Sequence, residues 1–192
     1  METLARNALA LFRGSLFRLY LSMHGCKAGK KLRCLGWPVM RCVPKGNIQI
    51  GHHVSLGKGV VLEITETGKL QLDDHVLIGD YCTLSSAHSI TMHRWSGIAE
   101  RASIRDNFHG MDANELYRLQ ASSGAPVVLE EDTGVGAGAV LLQGVRLPKG
   151  AFVGANAVIT THTPLEPYGI YAGNPAKMVK SRMETRAKSP MV

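Results

Sequence analysis

GVGAGAVLLQGVRLPKGAFVGANAVIT, residues 134–160, places an apolar side chain at every sixth position: Val135, Leu141, Leu147, Val153 and Ile159, with Leu129 one step ahead. Four residues after the middle ones stand small or medium side chains, Ala139, Val145, Ala151 and Ala157. A helix repeats every 3.6 residues and a strand every two, so neither alone produces a beat of six. A solenoid of very short, flat strands does, and hexapeptide periodicity is the signature of a parallel β-helix. Three steps close one triangular coil, so residues eighteen apart are expected to stack.

Working outward, the same beat runs through Ile50, Leu56 and Leu62, then Leu72, Ile78 and Leu84, then Met92, Ile98 and Ile104. The register slips between Leu62 and Leu72, around TETGK, and between Leu84 and Met92, around SSAHS. It stops altogether in RDNFHGMDANELYRLQASSGAP (105–126) and resumes at Val127. NELYRL within this excursion is expected to form one helical turn. Solenoids accept insertions as corner loops, and a long excursion inside a regular repeat usually serves function. The 21 glycines suit a chain that turns a corner every six residues.

The 192 residues fit one domain with appendages: a helix over 1–24, a solenoid over 25–182, and a basic tail over 183–192. Within this frame residues 25–45 read as irregular, with turns at Trp37-Pro38 and Pro44, and regular coils are expected from about Ile48. The net charge of +7 points to an anionic partner. Nucleic acid is disfavoured, because no Lys/Arg run is interleaved with aromatics and no nucleic-acid motif occurs. A polyphosphorylated cofactor or an anionic lipid surface suits the dispersed cations better.

ETLARNALALFRGSLFRLYLSM (2–23) carries Ala5, Leu9, Phe12, Leu16 and Leu19 at steps of four and three, one apolar stripe of a helix. Arg13 and Arg18 interrupt it, which argues against a secretory signal or a membrane span. Two readings are open: a cap on the end of the solenoid, or an interfacial helix over residues 4–21 lying on a membrane with Arg6, Arg13 and Arg18 near lipid phosphates. Cys26, Cys34, Cys42 and Cys82 show neither a CxxC pair nor zinc-like spacing. Free thiols in a reducing cytoplasm are expected, with peripheral contact to the inner membrane face under the second helix reading.

The repeat together with IYAGNPAKMVKSR (170–182) resembles the hexapeptide-repeat acyltransferases over residues 46–182. The resemblance implies a left-handed parallel β-helix, a homotrimer with active sites between subunits, and an acyl-CoA donor, most simply acetyl-CoA, with no metal. Acyl transfer from a thioester needs a base for the acceptor and stabilisation of the oxyanion, and histidine is the natural base near neutral pH. Among eight histidines the resemblance selects His109, through the match IAERASIRDNFH (98–109). Asp106, Asp112 or a backbone carbonyl are the candidates to orient its second ring nitrogen.

By the same resemblance Ala137, Ala155, Thr160 and Thr161 match positions along the pantetheine arm. Lys177 and Lys180 match basic positions near the nucleotide phosphates. Ser85, Ser86, His88, Asp106 and Asn107 lie on coils beside His109 and are candidates for the acceptor site. Two departures stand out: Thr133-Gly134-Val135-Gly136 replaces a step that often carries Trp, and Gly79 stands where sugar-specific relatives carry Asn. A sugar or lipid-linked glycan hydroxyl is the expected acceptor, with direct attack and no covalent enzyme intermediate. A rival reading takes LSSAHSITMH, with His52, His88 and His93, as similar to the three-histidine metal site of gamma-class carbonic anhydrases. A non-catalytic solenoid binding module is a third.

Overall fold

The structure is a computed structural model and describes residues 2–186. Three parallel sheets form the faces of a triangular prism. The first face runs from Lys27–Ala28 through Ile48–Ile50, Lys69–Leu72, Ser89–Met92 and Val127–Leu129 to Arg146–Leu147. The second begins at Arg33–Cys34 and reaches Gly169–Ala172, to which Lys177–Ser181 adds in antiparallel sense. The third runs from Val39–Met40 to Val158–Ile159. This is the expected parallel β-helix.

Every in-frame apolar residue of the beat points inward. Leu56, Ile78, Ile98, Val135 and Val153 form one column and Leu62, Leu84, Ile104, Leu141 and Ile159 another, all 2% exposed or less. The corners repeat as well. Lys31, His53, His75, Trp95 and Asp132 all take left-handed backbone at equivalent points of successive coils, a conformation costing an L-residue roughly 1–2 kcal/mol. His53, His75 and Trp95 stack face to face there, with ring centroids 4.8 and 4.0 Å apart.

Residues 25–45 are not irregular. They form the first coil, with Lys27 paired to Gln49, Arg33 to Ser55 and Val39 to Val61. Successive coils here are 22 residues apart rather than 18, which hides the beat. The extra residues of this coil, of TETGK and of SSAHS all fall at one corner, between the third and first faces, and so does the excursion. That excursion is an antiparallel hairpin, Asn107–His109 against Ser122–Gly124, whose tip turns at Leu116–Leu119 and Tyr117–Gln120 without forming a helix.

The prism is plugged at both ends. Tyr171 is fully buried at the far end. At the near end the helix α1 (Glu2–Met23) lies on the first coil, burying Ala10, Phe17 and Leu21. Gly14 makes the contact close: a Cβ there would sit 1.9 Å from the Leu32 carbonyl oxygen. The cap reading of the helix therefore holds, but through a different stripe. Leu9, Phe12, Leu16 and Leu19 are all exposed. At the other terminus a short helix, α2 (Arg182–Arg186), follows the antiparallel strand. Lys188 of the basic tail lies outside the described residues.

All four cysteines are free thiols. Burial pushes the Cys34 thiol up to about 12 and the Cys82 thiol up to about 11, which makes thiolate scarce near neutral pH. Cys42 is half-buried. A thiol-disulfide reagent at about pH 8 is expected to label Cys42 first and to reach Cys34 and Cys82 only in denaturant, read by peptide mass spectrometry. Equal labelling of all four in the native state would show that the coil interior opens.

Candidate active site

Ser86, Asn107 and the backbone of His88 gather around one buried carboxylate. Asp106 is fully buried, immediately after the third-face strand Ser103–Arg105. Its oxygens accept from Ser86 Oγ at 2.6 Å, Ala87 N at 2.8 Å, His88 N at 2.9 Å and Asn107 Nδ2 at 2.9 Å. One acid thus ties its own coil to the SSAHS corner of the coil before it. Ser86 and Asn107 are held directly, and His88 is fixed through its backbone with its ring left exposed.

His109 stands two residues beyond Asn107 on the hairpin and is exposed. Its Nδ1 lies 3.5 Å from the Gln120 carbonyl oxygen, across the hairpin. Of the three candidates for orienting the ring, the carbonyl is the one in place. Asp106 is turned onto the Ser86–His88 corner, and Asp112 caps its own turn by accepting from Asn114 N at 2.8 Å. A proton on Nδ1, toward that carbonyl, would leave the lone pair on Nε2 of the exposed ring.

Two residues that sequence reasoning missed complete the hairpin. Gln120 is nearly buried, and its amide accepts from Asp112 N at 2.8 Å and donates toward the carbonyls of Asp112 and Glu115. Tyr117 meets the His109 ring edge-on, with centroids 6.1 Å apart. A lone Gln and Tyr in a loop carry no periodic signal, and only the folded turn shows what they hold.

The residues matched to the pantetheine arm and phosphates sit on the last coils, in three places. Ala137 and Ala155 stack at the corner between the second and third faces, where Asn156 N donates to Ala137 O at 2.8 Å. Thr160 and Thr161 follow the last third-face strand, on the corner that also bears the hairpin. Lys177 pairs with Ala172, beside the alanine corner, while Lys180 pairs with Ile170 further along. The two alanines and Lys177 are thus drawn together, and the threonines lie across the third face from them.

Both sequence departures have a spatial reason. The space over Gly134 is taken by the Phe152 ring of the next coil, 2.2 Å from where a Cβ would stand. Gly79 belongs to a corner column of small residues in which a Cβ would meet the Ala99 carbonyl carbon and Glu100 N, each at 2.6 Å. No side chain fits there without moving backbone, so an acceptor-binding Asn has no room at position 79.

The three-histidine alternative is not assembled. His88 precedes the first-face strand Ser89–Met92 and His93 follows it, so the two lie at opposite ends of that strand. His93 Nδ1 is 2.8 Å from Asp73 Oδ2. His52 Nδ1 accepts from Lys30 N at 3.1 Å. Among the described residues, no group of three or more His, Cys, Asp or Glu could hold a metal ion.

No family profile matches the chain. Among curated proteins, it is 41% identical over 68 residues to the 2,3,4,5-tetrahydropyridine-2,6-dicarboxylate N-acetyltransferase of Staphylococcus aureus, a match spanning 35% of this chain and 28% of that protein. Solved structures align over most of the length. AntD, an N-acyltransferase from Bacillus cereus in complex with dTDP and 3-hydroxybutyryl-CoA, aligns with a TM-score of 0.71 at 20% identity, over 88% of this chain and 89% of that one. A hexapeptide-repeat-containing acetyltransferase from Vibrio cholerae gives a TM-score of 0.57 at 20% identity, covering 94% and 93%. A maltose O-acetyltransferase from Clostridium difficile 630 gives 0.54 at 19% identity, covering 93% and 87%. The chain shares the hexapeptide-repeat solenoid with these proteins.

Proposed function

We propose that this hexapeptide-repeat solenoid is an acyl-CoA-dependent acyltransferase, in the simplest case an acetyltransferase, with His109 as its general base. The observation that carries the reading is a solenoid whose longest corner insertion is a hairpin that holds an exposed imidazole with its Nδ1 against a carbonyl. The N- and O-acyl transfer named for the proteins sharing this fold supports it.

In the proposed reaction Nε2 of His109 takes the proton of an acceptor hydroxyl or amine as the acceptor attacks the thioester carbonyl carbon. A C–O or C–N bond forms and the C–S bond breaks. The departing thiolate takes the proton back from the imidazolium. The thioester is already activated, so positioning supplies much of the remaining acceleration. Ala137, Ala155, Thr160 and Thr161 would flank the pantetheine arm, with Lys177 and Lys180 toward the phosphates.

For the acceptor we favour a sugar hydroxyl, on a glycan or lipid-linked precursor, with Ser86, His88 and Asn107 lining its site. The dTDP-bearing neighbour supports a sugar-like acceptor while acting on nitrogen, so the decisive experiment pairs hydroxy and amino sugars with acetyl-CoA and follows thiol release. Turnover with amino sugars alone would assign N-transfer, and no release with any acceptor or acyl chain length would remove the acyltransferase reading. In the same proposal the enzyme is a homotrimer whose hairpin reaches a neighbouring subunit. A stable, fully active monomer in light scattering would overturn that part.

A further inference from the structure

α1 carries two apolar faces, and the fold uses one. Ala10, Phe17 and Leu21 are buried on the first coil, with Gly14 against Leu32. Leu4, Leu9, Phe12, Leu16, Leu19 and Met23 turn away from the solenoid, Phe12 being 60% and Leu19 59% exposed. The helix is not free to roll and hide them. Arg13 Nη1 donates to the Leu35 carbonyl at 3.0 Å and Arg18 Nε to the Ala28 carbonyl at 3.2 Å, two struts between helix and coil.

Charge separates along the solenoid in the same direction. Ten of the 22 Lys and Arg lie between residues 3 and 62, a stretch holding none of the 15 acids, so the remainder of the sequence is left with an excess of three negative charges. The overall surplus of +7 therefore arises at the end that carries the outward apolar face. Arg6, Lys27, Lys30 and Lys31 are exposed there, and Lys27 shares a cleft with Leu19 and Ser22 of the helix.

An apolar strip rimmed by exposed cations fits a surface that offers hydrocarbon depth beneath negative charge. We propose that α1 docks this solenoid on anionic lipid bilayers, its outer face in the headgroup–acyl boundary and Arg6, Lys27 and Lys31 against lipid phosphates. The described helices include none long and apolar enough to cross a membrane, so the helix lies in the surface. Pairing with a second copy through this face would bring two strongly basic ends together, and like charge opposes it. The proposal does not depend on what reaction the enzyme carries out.

The test is co-sedimentation of the full chain with phosphatidylcholine vesicles containing about 30% phosphatidylglycerol, against phosphatidylcholine alone. Binding is expected on the anionic vesicles at low salt and is lost when salt screens the charges. The pair Phe12→Ser and Leu16→Ser should weaken it roughly 10²-fold, and the pair Lys27→Glu and Lys31→Glu should also reduce it. All these positions are exposed, so melting temperatures should stay at the wild-type value. Wild-type protein left in the supernatant with both vesicle types would overturn the proposal. So would undiminished binding of the Phe12/Leu16 variant, or a solution mass that halves in that variant, which would give the face to a second copy.

Discussion

Replacing His109 by alanine is expected to lower kcat by about 10²- to 10⁴-fold, the usual worth of a positioned general base, while acetyl-CoA affinity and melting temperature stay near wild type. The imidazole is exposed, at the edge of a hairpin, with one long contact to the Gln120 carbonyl. Its removal empties no cavity and orphans no buried group, so a loss of turnover cannot be blamed on unfolding. The substitution His109→Asn should be nearly as inactive as His109→Ala, because an amide has no basic nitrogen to take the acceptor's proton. Turnover close to wild type in both variants would place the base elsewhere, with His88, the exposed imidazole on the adjoining corner, next in line.

Replacing Asp106 should show the opposite pattern, with stability falling first and activity following. Its oxygens satisfy Ser86 Oγ, Ala87 N, His88 N and Asn107 Nδ2 in a fully buried position. Alanine leaves Ala87 N and His88 N without an acceptor, while Ser86 Oγ keeps the Lys69 carbonyl at 3.1 Å, and the penalty for the orphaned donors sums to roughly 3–5 kcal/mol. In a chain of this size that is a drop of about 6–20 °C in melting temperature. Asp106→Asn is a sharper probe, since the amide keeps one acceptor oxygen but aims a donor at groups that are themselves donors. Calorimetry paired with steady-state kinetics separates the roles. If Asp106→Asn melts like wild type and turns over normally, the corner is held by coil stacking and the carboxylate contributes nothing.

What the sequence disclosed, and what it did not, follows from the range of each interaction. The coils from Ile48 onward were legible because Leu129, Val135, Leu141 and their kin each serve one inward position, and a six-residue period has no competing explanation. The first coil escaped because Cys34 and Met40 stand at steps where the later coils place Leu, Ile or Val, and because 22-residue spacing breaks the beat. The buried face of the helix escaped for a different reason. α1 is apolar on both sides, so periodicity finds two stripes, and the buried one runs through Ala10 and Gly14, residues that look like weak points on paper. Close approach to Leu32 is what selects them. At the candidate site, His109 stood out through the resemblance, but the job of Asp106 is a contact with a coil twenty residues earlier, and no local pattern encodes it.

The position of the excursion has a thermodynamic meaning for the whole chain. Ile90 pairs with Val127 across 37 residues, whereas Val128 pairs with Arg146 across 18. Doubling a closing loop adds only about 0.6 kcal/mol of entropy, and each coil answers energetically only to its immediate neighbours. A finger of this size can therefore be opened between two coils without the others registering it. The stack behaves as a ruler into which length may be let at a single edge. Chemistry placed on that edge is free to diverge while the markings on the other two faces stay in line.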